Sequence, residues 1–297
     1  MASCFLPAVL SVLLSACAGD ASDGDRSYRT PELESVPVVE SSLTVPFQQY
    51  ELSFAERQRM QVGHARLLER CMSERGFSVA VAGDFVLGHQ RDGVMDPAMW
   101  GGPFGTMPLE HARRYGYKPE KDGPFVKGPG FYLSNPGHLF LETGKITEDQ
   151  LAPAERAYYG ADGDSGCVDR VEEQIGVSLV DFIDLRSDVS QLAREHPRVE
   201  SAMRAWVECM AQSGYRYSQV WEASQRYGTA PVSQVQVETA VADVRCTRQS
   251  HWADYFYAAV ADYQRQAIER TPDLLEGALE SEKARLLAIE AELARAR

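Results

Sequence analysis

The sequence predicts a mainly α-helical domain stapled by disulfides, with a long Gly/Pro-rich loop region and a C-terminal amphipathic helix. Three observations support this prediction. Apolar residues recur at helical spacing over much of the chain beyond residue 47. Cysteines at four positions in that part of the chain are an even number, which permits two bridges. Residues 78–146 are instead rich in Gly and Pro, which favour turns.

The helices are predicted in chain order from periodicity and from start and stop signals. A stripe of apolar residues that includes Met60 and Leu67 predicts a helix over 52–75, and a short helical piece follows over 108–115. The capping box that begins at Thr147 opens a helix to Tyr159. The later predicted helices span 165–195 (interrupted near Gly176), 197–213, 218–226, 233–270 and 273–297.

The last predicted helix has an apolar stripe at nearly heptad spacing, formed by Leu275, Leu279, Leu286, Ile289 and Leu293. Such a stripe either packs on the helix's own domain or binds a protein partner or a second copy. Fewer than four heptads is short for a coiled coil, so packing on its own domain is the favoured interpretation.

The first residues of the chain have the features of a signal peptide. Residues 5–14 are apolar and uncharged, but they are fewer than the ~20 residues that a membrane-spanning helix needs. Small residues end the run. The sequence Leu14-Ser15-Ala16-Cys17 resembles the lipobox of bacterial lipoproteins. This resemblance implies cleavage after residues 1–16 and attachment of lipid to Cys17.

One feature departs from the usual pattern, because no Lys or Arg precedes the apolar run. An ordinary secretory signal, or a buried N-terminal helix, is the alternative interpretation. Residues 17–46 are rich in small, acidic, Ser and Pro residues, which predicts a flexible tether that follows the lipidated cysteine.

A short motif occurs twice. Residues 71–77 (CMSERGF) and 209–215 (CMAQSGY) share the pattern C-M-x-x-x-G-aromatic, and each is later followed by R-Y-G and then by another cysteine, at 167 and at 246. Four cysteines allow three pairings. The repeat favours Cys71–Cys167 and Cys209–Cys246, in two related helical units over 47–196 and 197–270, with 271–297 as a C-terminal helix. Coincidence of short strings is the alternative.

These motifs resemble those of secreted lipoproteins from high-GC Gram-positive bacteria, a group with no assigned activity. The likeness rests on the two C-M-x-x-x-G-[FY] motifs and on the two later cysteines. It implies a lipid-anchored protein at the outer face of the cytoplasmic membrane, with disulfides formed in an oxidising compartment.

The charge limits the classes of partner. The net charge is −13 over 297 residues, which repels nucleic acid and anionic lipid head groups. Nucleic acid is therefore not expected as a partner.

No catalytic motif is recognisable, and the six histidines form no H-E-x-x-H. We therefore expect no enzyme, no cofactor and no bound metal. The acidic stretch 162–173 matches a calcium loop in part, but Cys167 stands where the loop needs glycine, so a helix-capping loop is the favoured interpretation.

The expected function is a non-enzymatic binding or scaffold protein of the cell envelope, with a possible partner at the C-terminal helix. The alternative is a cell-wall glycan-binding protein or hydrolase that uses residues 78–146. Aromatics on loops can stack on sugars, although aromatics more often pack inward. The candidates are Trp100, Phe104, Tyr115, Tyr117, Phe125, Phe131 and Tyr132.

Overall fold

The computed structural model describes residues 28–34, 45–78, 105–118, 147–161, 163–177, 180–227 and 231–295. Within these ranges the protein is almost entirely helical, which confirms the predicted fold class. The elements, in chain order, are a 3-10 helix η1 (Pro46–Tyr50), α1 (Phe54–Glu74), α2 (Leu109–Tyr115), α3 (Glu148–Tyr159), β1 (Gly160–Ala161), β2 (Asp164–Ser165), α4 (Cys167–Ile175), α5 (Val180–Arg194), α6 (Pro197–Gln212), α7 (Val220–Tyr227), α8 (Gln234–Ser250), α9 (Trp252–Arg270) and α10 (Pro272–Arg295).

The two copies of the repeated motif end their helices in the same way. In α1 the amide of Phe77 donates to the carbonyl of Met72, and in α6 the amide of Tyr215 donates to the carbonyl of Met210. The intervening glycine is left-handed in both copies, as a helix C-terminus of this type requires. The motif is therefore a structural helix stop that fixes where each cysteine faces.

We expect Gly214→Ala to lower the free energy of unfolding by about 1–2 kcal/mol. At φ +91° an L-residue is strained, although nothing lies within 4 Å of the added methyl group. Urea unfolding measures the change. Gly277→Ala in α10 is the matched control, since its surroundings are equally open and alanine favours the helix by about 1 kcal/mol. An equal response of the two variants would contradict the left-handed cap.

Two disulfides join the pairs predicted from the repeat. Cys71 in α1 bonds Cys167 at the start of α4, with Cα atoms 5.7 Å apart, and Cys209 in α6 bonds Cys246 in α8, at 5.5 Å. Each bridge ties the helix that carries the motif to a later helix, so both close long segments of chain.

The buried side chains form three clusters that cut across the sequence-based units. The large core joins η1, α5, α6, α9 and the start of α10. The small core joins α1, α3, α4 and the second half of α10. A third cluster holds α2 against α7 and α8. Helices α2 and α5, which lie within 47–196, thus pack with the helices of the second unit, and α10 packs with both cores.

The predicted single helix over 233–270 is wrong, because it is broken at His251. This residue has a left-handed backbone, with φ +57°, and ends α8. The break changes the chain's direction, so that α8 packs on α2, α6 and α7 while α9 packs on α5 and α6. Val235 at the start of α8 is 57% exposed, whereas Trp252 and Phe256 beyond the break are buried.

Helix α10 packs along its apolar stripe onto its own chain. Leu275 lies in the large core, and Ile289 lies in the small core, close against Gly63 of α1. The two helices approach most closely at Gly63, where an added Cβ would clash with the Ile289 side chain. The favoured prediction for this helix, packing on its own domain, agrees with these contacts.

Part of the predicted tether also contacts the helical body. The backbone of Arg29 exchanges two hydrogen bonds with the Gln266 side chain of α9, at 2.9 and 2.8 Å. The buried His196 ring nitrogen lies 2.9 Å from the carbonyl of Pro31, and the Arg270 guanidinium lies over the Tyr28 ring. Residues 28–34 thus lie on the body, a contact that composition alone did not predict.

None of the helices in the described ranges is both long enough and apolar enough to cross a membrane.

Candidate functional site

The predicted site residues fall into two groups. Cys17 lies outside the described residues. The four cysteines at 71, 167, 209 and 246 are paired, so they act as structural bridges. The structure adds a site that the sequence did not reveal.

This site is a cavity of about 180 Å³ at the seam between the large and small cores. Four elements surround it: η1 with the two residues after it, α1, α5 and α10. Seams between packed units are frequent positions for ligand sites. Its lining residues are Tyr50, Glu51, Leu52, Arg57, Met60, Phe182, Ile183, Arg186, Ala278 and Glu282.

Glu51 is the most unusual of these residues. Its side chain is only 7% exposed, and neither carboxylate oxygen accepts a hydrogen bond. Burial raises the pKa of Glu51, while Arg186 and Arg57 partly oppose the shift. A carboxylate without donors is costly to remove from water, so this group is an unsatisfied acceptor in the cavity wall.

Two arginines accompany the carboxylate. Arg186 of α5 places Nη1 3.5 Å from Oε1 of Glu51, and its Nε has no hydrogen-bond partner. Arg57 of α1 donates to the carbonyl of Leu52. On the far wall, Glu282 pairs with Arg285, their charged atoms 3.0 Å apart. The cavity lining therefore carries two acidic and two basic side chains.

Apolar side chains form the rest of the wall. Phe182 packs its ring on Phe47, with centroids 5.6 Å apart, and the guanidinium carbon of Arg186 lies over the Phe182 ring, 5.8 Å from its centroid. Met60 of α1 and Ala278 of α10 also line the cavity. The cavity wall thus combines hydrogen-bonding and apolar side chains.

The sequence did not predict this site because the residues that line it belong to no motif. Glu51 stands between Tyr50 and Leu52, just before the Ser53–Glu56 capping box. A charged residue between Tyr50 and Leu52 was the one available signal. Arg186, the ion-pair partner of Glu51, lies more than 130 positions further along the chain, and only the fold brings the two together.

A second buried carboxyl, Asp243 in α8, is fully supplied with donors. It accepts hydrogen bonds from Tyr117 and Trp206, both at 2.9 Å, and from Thr247 at 3.2 Å. Removal from water raises the pKa of Asp243 to about 6, although the three hydrogen bonds lower it. Since every donor belongs to a packed helix or its flank, Asp243 is a structural hub that fastens α2 and α6 to α8.

Tyr117 also bears on the glycan-binding interpretation. It is 2% exposed, and its ring stacks on Tyr227 at 5.8 Å. Tyr117 therefore packs inward, which agrees with the prediction that aromatics more often pack in the core than bind sugars. Five of the other candidate aromatics, at 100, 104, 125, 131 and 132, lie outside the described residues.

The acidic stretch 162–173 is described from residue 163 onward. Asp164 forms ion pairs with Arg75 at 3.2 Å and Arg170 at 3.8 Å. Within the described ranges, no group of three or more His, Cys, Asp or Glu side chains is placed to hold a metal ion. Asp164 therefore joins the loop to the end of α1 beside the first disulfide.

We expect acid to destabilise the protein through His64 of α1. Burial and the nearby Arg285 lower the pKa of His64 to about 4, and its Nε2 has no hydrogen-bond partner. The unfolded chain binds a proton near pH 6.5, so the stability from neutral His64 is present above that pH and is lost as pH falls towards 4. At ~1.4 kcal/mol per pH unit, roughly 2–3 kcal/mol is lost.

The measurement is urea unfolding at pH 7 and pH 4.5 for the wild type and for His64→Leu. The variant should lose less stability on acidification than the wild type. Identical pH dependence in the two proteins would contradict a buried neutral His64.

No protein-family model, curated protein or solved structure matches this chain.

Proposed function

We propose that the protein is an exported lipoprotein, held by lipid on Cys17 at the outer face of a bacterial cytoplasmic membrane, whose helical body is a non-enzymatic binding protein. The binding role rests on one observation, the cavity in which Glu51 offers two unsatisfied oxygens. The location rests on the lipobox-like sequence 14–17 and on two disulfides, which persist in oxidising compartments.

The physical reason for a binding role is the cost of Glu51. A buried carboxylate that lacks donors destabilises the fold, and a hydrophobic residue of similar size would avoid that cost. A ligand that donates hydrogen bonds to Glu51 would offset it. Ionisable groups whose pKa is shifted by burial in a cavity mark functional sites more often than random positions do.

The rival functions have less support. A cell-wall glycan-binding protein or hydrolase that uses 78–146 depends on aromatics outside the described ranges, and Tyr117 packs inward. The apolar stripe of α10 is buried against the protein's own helices. A protein partner at α10 would therefore contact the opposite face of the helix, where Leu287 is 66% exposed.

The location is tested by replacing Cys17. In the producing cell, Cys17→Ala should release the protein from membranes or leave it uncleaved, because no thiol remains to take the lipid. Fractionation and gel mobility of the two forms are the measurements. Ser15→Ala is the matched control, since it keeps a small residue before the cleavage site and should stay anchored. Unchanged membrane attachment of Cys17→Ala would contradict the anchor.

A further inference from the structure

We propose that the cavity binds a free α-amino acid with an aliphatic side chain, its ammonium group on Glu51 and its carboxylate on Arg186. This inference rests on the binding role proposed above and names its ligand class. Four observations carry it: charge balance, unsatisfied polar atoms, their separation, and the size and polarity of the wall.

The charge balance selects a ligand without net charge. Glu51 and Glu282 face Arg57 and Arg186 around the cavity, so the charged side chains of the lining sum to zero when ionised. A cation or an anion would leave one sign in excess in a space of low polarity, which is costly. A zwitterion brings both signs and leaves the sum unchanged.

The unsatisfied atoms require a ligand that both donates and accepts. Both oxygens of Glu51 lack donors, and Nε of Arg186 lacks an acceptor. An ammonium group donates three hydrogen bonds, and a carboxylate suits the guanidinium. A simple amine or a simple carboxylic acid would satisfy only one side of the pair.

The short distance between Glu51 and Arg186 requires the ammonium and the carboxylate of the ligand to be neighbours. Nη1 of Arg186 lies 3.5 Å from Oε1 of Glu51, a contact that is an ion pair but not a hydrogen bond. The matching ligand groups must therefore lie equally close to one another. In an α-amino acid a single carbon joins the ammonium and the carboxylate, which gives that spacing.

Size and polarity select the side chain. The cavity of about 180 Å³ lies below the range of roughly 300–1,000 Å³ that is usual for drug-sized ligands. It therefore suits one amino acid rather than a peptide. The lining also offers apolar side chains for contact with an aliphatic group, namely Phe182, Ile183, Met60 and Ala278. A monosaccharide would bury several more hydroxyl groups against this wall without partners.

Isothermal titration calorimetry of the full-length protein in detergent tests the proposal, with L-leucine, N-acetyl-L-leucine, L-leucine methyl ester and N-acetylglucosamine as probes. Leucine should bind, and blocking either its amine or its carboxylate should remove binding. Glu51→Gln should weaken leucine binding about tenfold or more, because it replaces the charged acceptor. Glu200→Gln, an exposed glutamate on α6, is the matched control and should leave it unchanged.

Ala278→Leu is a second variant that places a larger apolar side chain in the cavity lining without changing any charge, and it should abolish binding while the protein stays folded. Absence of leucine binding, or leucine binding that Glu51→Gln and Ala278→Leu leave unchanged, would overturn the proposal. Binding of N-acetylglucosamine in place of leucine would overturn it as well, but would leave a binding protein. The anchor is judged separately by Cys17→Ala, so the two failures are distinguishable.

Discussion

Removal of the first disulfide, in Cys71→Ala/Cys167→Ala, should lower the free energy of unfolding by roughly 4–5 kcal/mol in the chain-entropy treatment of cross-links. The bridge joins cysteines 96 residues apart and restricts the unfolded chain across that length. It also ties α1 to α4 in the small core, where Cys167 is fully buried. Urea unfolding of the oxidised protein and of the double variant measures the difference.

The second bridge is the internal control. Cys209 and Cys246 are 37 residues apart, so Cys209→Ala/Cys246→Ala should cost about 1 kcal/mol less than the first double variant. A first double variant as stable as the wild type would contradict the pairing. So would a mixed double variant, Cys71→Ala/Cys209→Ala, whose remaining cysteines at 167 and 246 still formed a bridge.

Asp243→Ala should cost roughly 3–5 kcal/mol, because it strips the acceptor from three hydrogen bonds at once. Trp206 has no exposed surface, so its indole N–H would lose its partner inside the large core. Tyr117 would lose the hydrogen bond that fastens the end of α2 to α8. Hydrogen exchange should therefore accelerate in 105–118 before it changes elsewhere. A loss below 1 kcal/mol would contradict the hub.

Asp243→Asn separates charge from hydrogen bonding. The pKa of Asp243 is about 6 in the folded protein and lower when unfolded, so the folded state binds the extra proton between these values. Its contribution is present at low pH and is lost as pH rises through 6. The asparagine variant should lack this loss. This pH dependence of stability is opposite in direction to that of His64. The two effects partly cancel in the wild type, so they are separated by measuring the His64 and Asp243 variants singly.

The helical fold was predictable because local signals agree along the chain. The capping box at Thr147 starts α3 where predicted, and Gly176 ends α4. The repeat predicted both disulfides, since each C-M-x-x-x-G-[FY] copy is a helix stop with its own chemistry. These features are encoded within a few residues, and packing did not override them.

The rest depends on contacts between distant residues. His251 belongs to no helix-breaking residue type, so the break between α8 and α9 follows from packing on two different surfaces. Residues 28–34 are polar and acidic in composition, yet His196, just before α6, and side chains of α9 hold them. The cavity gathers Glu51, Arg186 and Ala278 from three elements, and no local pattern brings such residues together.

One measurement tests the central claim, an exported, lipid-anchored and disulfide-stapled body, most directly: the intact mass of the protein taken from the membrane fraction without reductant. We expect a chain that starts at Cys17, carries lipid there, and lacks four thiol hydrogens because of the two bridges. A chain that retains residues 1–16, has no lipid on Cys17, or has four free thiols would contradict it.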